Sequence, residues 1–297
     1  MTKNATAQSL NEQFGIPETL RFEDPGQGMP RAVITADAAT AVIYLHGAHI
    51  AEYQPTGDKP VLFMSPKSNI HPDKPIRGGI PICFPWFGPN QHDPTAPPHG
   101  QARLAAWQLT QATKLPDQRV QLTLTRDIAP FRLTFTITVG QELQMQLRTE
   151  NTTNQPAQFE QALHTYFTIS KIHDIEITGL AGLSYIDKTR NAERLTQANP
   201  PLRFEGETDR VYINHPGHCT LHDPGYKRNI VIEKHNANST IVWNPWTDKS
   251  LKLPDLGDDD WPGFVCIESG NVADNAITLA PSEAHEMTAT LRPQPQA

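Results

Sequence analysis

Long hydrophobic runs are the first thing this 297-residue chain lacks: no apolar stretch approaches the ~18 residues that a membrane span requires. The amino terminus, MTKNATAQSLNEQFG, has no apolar core of the kind a signal peptide carries. A cytoplasmic protein without a membrane partner is the expectation. Cysteine is scarce as well. Cys83, Cys219 and Cys266 are too few and too scattered for a disulfide framework, and none sits in a CxxC pair, so reduced thiols are expected. Basic residues are outnumbered, 25 Lys and Arg against 32 Asp and Glu, for a net charge of −7. That balance argues against a nucleic-acid or anionic-membrane partner, which selects a basic face. A small anionic ligand needs only local positive charge and stays allowed.

The common catalytic signatures are missing too. There is no GxSxG elbow, and Cys83 in ICF and Cys266 in VCI read as buried small hydrophobes. Gly78-Gly79 belongs to neither a GK[ST] phosphate loop nor a GxGxxG turn, so no nucleotide cofactor is implied. Among twelve histidines, His46/His49 and His215/His218 are sequence neighbours, but neither pair is followed by a third ligand at a zinc spacing. Residues three apart on a strand also point to opposite faces. A metal-bearing sandwich is therefore the disfavoured reading, and no cofactor is expected.

What is present is period-two alternation. Val120, Leu122 and Leu124 alternate with Gln121, Thr123 and Thr125. The same pattern runs through Leu133 to Val139, Leu143 to Leu147 and Met287 to Leu291, and further β-rich runs lie at Ala41–Leu45, Ile175–Ile177, Ile230–Ile232 and Thr240–Trp243. Half-buried antiparallel strands separated by Gly, Pro, Asn and Asp, with almost no long amphipathic helix, predict an all-β antiparallel sandwich in one domain over 20–297. Residues 1–19 read as an N-terminal extension with a short helix, capped at Ser9 with Glu12 three residues on and stopped by Gly15 and Pro17. The acidic stretch Leu253–Pro262 reads as a surface loop.

The most informative stretch is Pro75 to Arg103, PIRGGIPICFPWFGPNQHDPTAPPHGQAR. It holds seven prolines, four glycines, two arginines and one acid, Asp93. Such proline density excludes a continuous helix or central strand and describes ordered loops. Arg77 and Arg103 on stiff loops suit bidentate capture of an oxyanion.

Acid/base candidates lie later in the chain. His164 sits in the aromatic setting FEQALHTYFTIS, as a core histidine or as a proton-transfer group. Glu268 ends the hydrophobic run FVCIE before the turn-like SGN; it either reaches solvent at a strand end or is a buried carboxylate with a raised pKa. Asp209, in GETDRVY, reads most simply as a turn residue or an ion-pair partner of Arg210. Trp243 and Trp246, in VWNPW, read as core or rim aromatics, with a sugar-stacking platform as the alternative.

Taken together, IRGGIPICFPWFG, HGQAR, LHTYF, ETDRVY, VWNPW and CIESGN occur in an order that resembles the glucose-6-phosphate 1-epimerases, the hexose-6-phosphate mutarotase branch of the aldose 1-epimerase family. The likeness runs from about residue 20 to about residue 292. It implies a galactose-mutarotase-like β-supersandwich that interconverts the anomers of a D-hexose 6-phosphate without a cofactor; a monomer is the expectation for the chain. By motif, the resemblance implies His164 and Glu268 as catalytic acid and base, and Arg77, Arg103 and Asp209 as substrate-binding residues; His99, beside them in HGQAR, is expected to bind substrate as well. Glu268 would take the proton from O1 as carboxylate, and His164 would donate to O5 as imidazolium. One departure stands out: the family commonly reads PQHG, whereas this chain has Pro97-Pro98-His99-Gly100, and Pro98 offers neither a side-chain amide nor an N–H. Gln101 is the candidate replacement if the loop folds back. A neutral-sugar aldose 1-epimerase and a non-catalytic sugar-phosphate binder are the alternatives. Arg77 with Arg103 disfavours the first, and a matched acid and base disfavours the second.

Overall fold

The computed structural model of the protein describes residues 6–296; the first five residues of the expected extension lie outside that range. Two eight-stranded antiparallel sheets carry the fold. One runs in spatial order through Glu176–Thr178, Cys219–Asp223, Arg228–His235, Ala284–Pro295, Leu143–Asn151, Phe131–Val139, Val120–Ile128 and Gln108–Lys114. The other runs through Glu193–Thr196, Ser184–Asp187, Thr208–Tyr212, Ser239–Asn244, Phe264–Asn271, Gln161–Leu163 and Ile82–Cys83, with Tyr166–Thr168 also paired to Phe264–Asn271. A four-stranded meander from Leu20 to Pro55 adds to the sandwich.

The alternating sequence explains the first sheet. Phe135, Ile137, Leu143, Met145 and Leu147 are fully buried, while their threonine, glutamine and arginine neighbours along the strands face outward. Each such apolar side chain contributes roughly 1.5–3 kcal/mol on burial, so a one-residue slip of register would exchange the core face for the solvent face. This is the all-β antiparallel sandwich the alternation predicts.

The strand Phe264–Asn271 obeys a different rule, because all eight of its residues are buried. Val265 and Ile267 point into the main core, and Phe264 and Cys266 pack with Tyr166, Trp243 and Leu256 on the opposite face. Glu268 shares the parity of Phe264 and Cys266, so it faces away from the main core. The expectation that SGN ends this strand is corrected. Pairing continues through Ser269 opposite Thr240 and Gly270 opposite Ser239, so Glu268 stands inside a strand and not at its solvent end.

Near the amino terminus, the helix Ala7–Phe14 is capped by Thr6, whose side chain accepts from the Ser9 amide while the Ser9 side chain accepts from the Thr6 amide. Ser9 is thus the third residue of the helix and not its cap. Leu10 of this helix is buried in the main core, and the Asn11 side chain bonds both backbone groups of Phe22. Among the described residues, no helix is long and apolar enough to cross a membrane.

Candidate active site

Sheet register assembles the centre of the site. Leu163 pairs with Ser269 and Tyr166 with Cys266, so His164 falls directly opposite Glu268 on the neighbouring strand. Their side chains share the face turned away from the core, and His164 Nε2 lies 3.4 Å from Glu268 Oε1. One step along, the cross-strand row Asp209, Trp243, Cys266 and Tyr166 lines the same face. The His164 ring stacks on Tyr166 at 4.8 Å and meets the edges of His99 at 5.6 Å and Trp243 at 6.0 Å. His164 is held in a stiff aromatic box.

Burial dominates the electrostatics of this pair. Glu268 is 1% exposed, and desolvation pushes its pKa well above the usual carboxylate range, opposed by the positive charges of Lys188 and Arg103 and reinforced by Asp209. His164 is driven well below the usual imidazole range, first by burial and then by His99, Arg103 and Arg77. Both shifts favour the uncharged forms. Glu268 Oε2 and His164 Nδ1 are buried with no hydrogen-bond partner among the described residues. Unsatisfied groups of that kind are costly, and in a native fold they call for an explanation.

The proline-rich stretch forms the adjoining wall. The Arg77-Gly78-Gly79 turn needs its glycines: at φ +112° and +59°, a Cβ on Gly78 would collide with the Phe63 carbonyl oxygen and one on Gly79 with that of Ile50. The turn fixes Arg77, whose Nη1 donates to the Tyr166 hydroxyl at 2.9 Å and whose Nη2 meets Asp255 Oδ1 at 3.1 Å. Further on, Phe84 forms a parallel bridge with Gly100, at φ +76°, where any Cβ would strike the Phe84 carbonyl. That closure sets His99 against Phe87 at 4.8 Å. His99 Nδ1 accepts from the Gly88 amide, which leaves the proton of the neutral ring on Nε2 as a free donor. Its pKa falls to about 3, through burial first and then Arg103, Lys188 and Arg77.

Arg103 has a different environment from Arg77. Its Nη2 donates to the Pro98 carbonyl at 2.7 Å, its Nε is buried without a partner, and no carboxylate of the described residues lies within ion-pair distance. Burial lowers its pKa, and the neighbouring charge of Arg77 adds to that effect. Pro98, which lacks any side-chain donor, thus contributes through its carbonyl by orienting Arg103. Gln101 does not fold back to replace an amide; its side chain is exposed, and its backbone N–H bonds the Phe84 carbonyl.

Asp209 is neither a turn residue nor a partner of Arg210. It lies within the strand Thr208–Tyr212, with Lys249 Nζ 3.9 Å away, while Arg210 bonds Gln197 and covers the Tyr185 ring. Burial raises the Asp209 pKa, opposed by Lys188 and Lys249. Trp243 is buried beside His164, whereas Trp246 packs with Trp261 at 4.5 Å, away from it. The acidic stretch Leu253–Pro262 is more than a surface loop: Leu256 is fully buried, and Asp255 reaches Arg77. Sequence reasoning missed Lys188, which follows the strand Ser184–Asp187 and lies with Nζ 4.5 Å from the Phe87 ring centroid. Its charge acts on Glu268, Asp209 and His99. The local signal, an exposed lysine in DKTR, resembles that of any surface cation.

Comparison with known proteins identifies the family of the fold. The chain is 32% identical over 265 residues to a Salmonella typhimurium protein provisionally named a glucose-6-phosphate 1-epimerase, covering 86% of this chain and 85% of that protein. It is 30% identical over 274 residues to a protein of the same provisional name from Cenchrus ciliaris, covering 86% and 82%. The crystal structure of YeaD from Salmonella typhimurium, provisionally described as a mutarotase, superposes with a TM-score of 0.88 at 26% identity, covering 95% of this chain and 96% of that one. The family model for aldose 1-epimerase matches residues 30–292. With a galactose-mutarotase-like sandwich and that match over most of its length, this chain belongs to the aldose 1-epimerase family, isomerases that interconvert the α and β anomers of a sugar.

Proposed function

We propose that the sugar is a D-hexose 6-phosphate, with glucose 6-phosphate favoured, that Glu268 and His164 move the protons, and that Arg77 and Arg103 hold the phosphate. The observation that carries the phosphate assignment is Arg103, a guanidinium with a buried, unpartnered Nε and no carboxylate to balance it. A half-buried guanidinium with an unpaired N–H and no counter-ion is unfavourable, and a bound dianion offsets that cost. Two of the relatives carry glucose 6-phosphate in their provisional names, which supports the same choice.

In the proposed reaction, Glu268 as carboxylate takes the proton from O1. The C1–O1 bond becomes a carbonyl, the C1–O5 bond breaks, and O5 takes a proton from the His164 imidazolium. Rotation about C1–C2 presents the other face of the aldehyde, and the same steps in reverse close the ring. Asp209 accepts hydrogen bonds from sugar hydroxyls, and His99 donates one from Nε2. Phosphate binding remote from C1 supplies orientation.

Two-dimensional exchange NMR on glucose 6-phosphate beside galactose tests the reading. Exchange is expected for the phosphorylated sugar, with Arg103→Ala raising its KM far more than that of galactose. Exchange with galactose alone would overturn the substrate assignment.

A further inference from the structure

Arg77 and Arg103 are both half-buried cations of one wall, yet only Arg77 has a carboxylate. Asp255 Oδ1 lies 3.1 Å from Arg77 Nη2, with side-chain exposures of 19% for the arginine and 21% for the aspartate. The position of Asp255 is fixed by the loop that carries it. Asp260 accepts from the Ser65 hydroxyl at 2.8 Å and the Gly257 amide at 2.7 Å, Asp258 pairs with Lys67 at 2.9 Å, and Leu256 is buried against the aromatic floor. Arg77 does not depend on Asp255 alone, since Tyr166 receives its other terminal nitrogen and the Ser68 hydroxyl accepts from its backbone amide.

We propose that Asp255 is a specificity-determining residue: a resident counter-ion on Arg77 that competes with the substrate's phosphate and so moderates the grip of the anion subsite. This rests on the reading of Arg77 and Arg103 as the phosphate site. Two guanidiniums against one carboxylate leave one net positive charge, whereas a phosphomonoester at neutral pH carries close to two negative ones. The dianion therefore approaches a subsite that one of its own residues has half neutralised. An enzyme of this kind must release a product that differs from its substrate only at C1, so a grip without a counter-ion would hold both anomers and slow turnover.

The expected result is that Asp255→Asn tightens binding of glucose 6-phosphate by about five- to tenfold in calorimetry, from loss of a like charge at a half-buried site. KM should fall with it, and kcat should not rise. The gain should vanish when Asp255→Asn is combined with Arg77→Ala, which removes the group through which Asp255 acts. Asp258→Asn, on the same loop but paired with exposed Lys67, should leave affinity unaltered. Asp255→Ala serves as the second variant should the asparagine disturb the loop. If Asp255→Asn and Asp255→Ala weaken or do not alter glucose 6-phosphate binding while Arg77→Ala weakens it, the counter-ion role is wrong and the phosphate site stands. Tightening by Asp258→Asn to the same degree would also overturn the proposal, as a general charge effect. If Arg77→Ala leaves glucose 6-phosphate affinity as in the unmodified protein, the phosphate site itself is wrong and the counter-ion role falls with it.

Discussion

His164 and Glu268 stand opposite each other on adjacent strands, 3.4 Å apart, in surroundings that disfavour charge on either. Neutral histidine with protonated glutamate, and imidazolium with carboxylate, hold the same number of protons. Ring opening as proposed converts the charged form into the uncharged one, so the desolvation of the pair favours the direction in which the C1–O5 bond breaks. Closure returns the charge to the pair as the sugar leaves its aldehyde form.

Glu268→Gln is expected to lower anomer exchange by about 10²–10⁴-fold, the usual contribution of one acid/base group, with sugar-phosphate binding retained in calorimetry. The same variant should be more stable than the unmodified protein, because an amide replaces a buried carboxylate. The sign of the pH dependence follows. With its folded pKa raised above the ordinary 4.5, Glu268 binds its proton more tightly in the native state, so its contribution to stability declines as pH rises above that value. The melting-temperature advantage of Glu268→Gln should therefore widen from pH 5 to pH 8, and a constant or shrinking advantage would contradict the buried-carboxylate assignment.

Arg103→Lys keeps the charge but loses the planar fork. It should weaken glucose 6-phosphate binding by about tenfold or more, given the loss of bidentate donors, while galactose exchange remains within twofold or so. Calorimetry of both sugars would show it.

Lys188→Met removes the largest favourable charge acting on Glu268. The alkaline limb of the kcat/KM profile, which reports loss of the pair's last proton, should move to higher pH. An unmoved limb, measured by exchange NMR across pH, would mean that Lys188 does not act on the base.

Gly100→Ala combines a left-handed backbone with a collision against the Phe84 carbonyl. It should destabilise the protein by about 2–3 kcal/mol through strain and overpacking, visible as a lower urea midpoint.

The sequence made the half-buried strands legible because their two faces meet different solvents: Val120–Ile128, Phe131–Val139 and Leu143–Asn151 alternate cleanly. It concealed the extent of Phe264–Asn271, where both faces are dry and Ser269, Gly270 and Asn271 imitate a turn. Glu268 and His164 could be singled out by type and setting, but their cross-strand pairing is a matter of register between segments about a hundred residues apart. Lys188 and Asp255 had only generic local marks, a surface cation in DKTR and one acid of an acidic loop. Each gains its meaning from what tertiary structure sets beside it, Phe87 in one case and Arg77 in the other.

The bridge between Phe84 and Gly100 closes the base of the proline-rich loop. It pinches the chain at two points and leaves the segment between them, from Pro85 to His99, as a cassette on a fixed base. Because Pro98 holds Arg103 by its carbonyl, an atom every residue possesses, side chains in that cassette can be exchanged without surrendering the hold on Arg103. Within the cassette it is the His99 ring that meets that of His164, so the rest of its sequence is free to vary at less cost to His164.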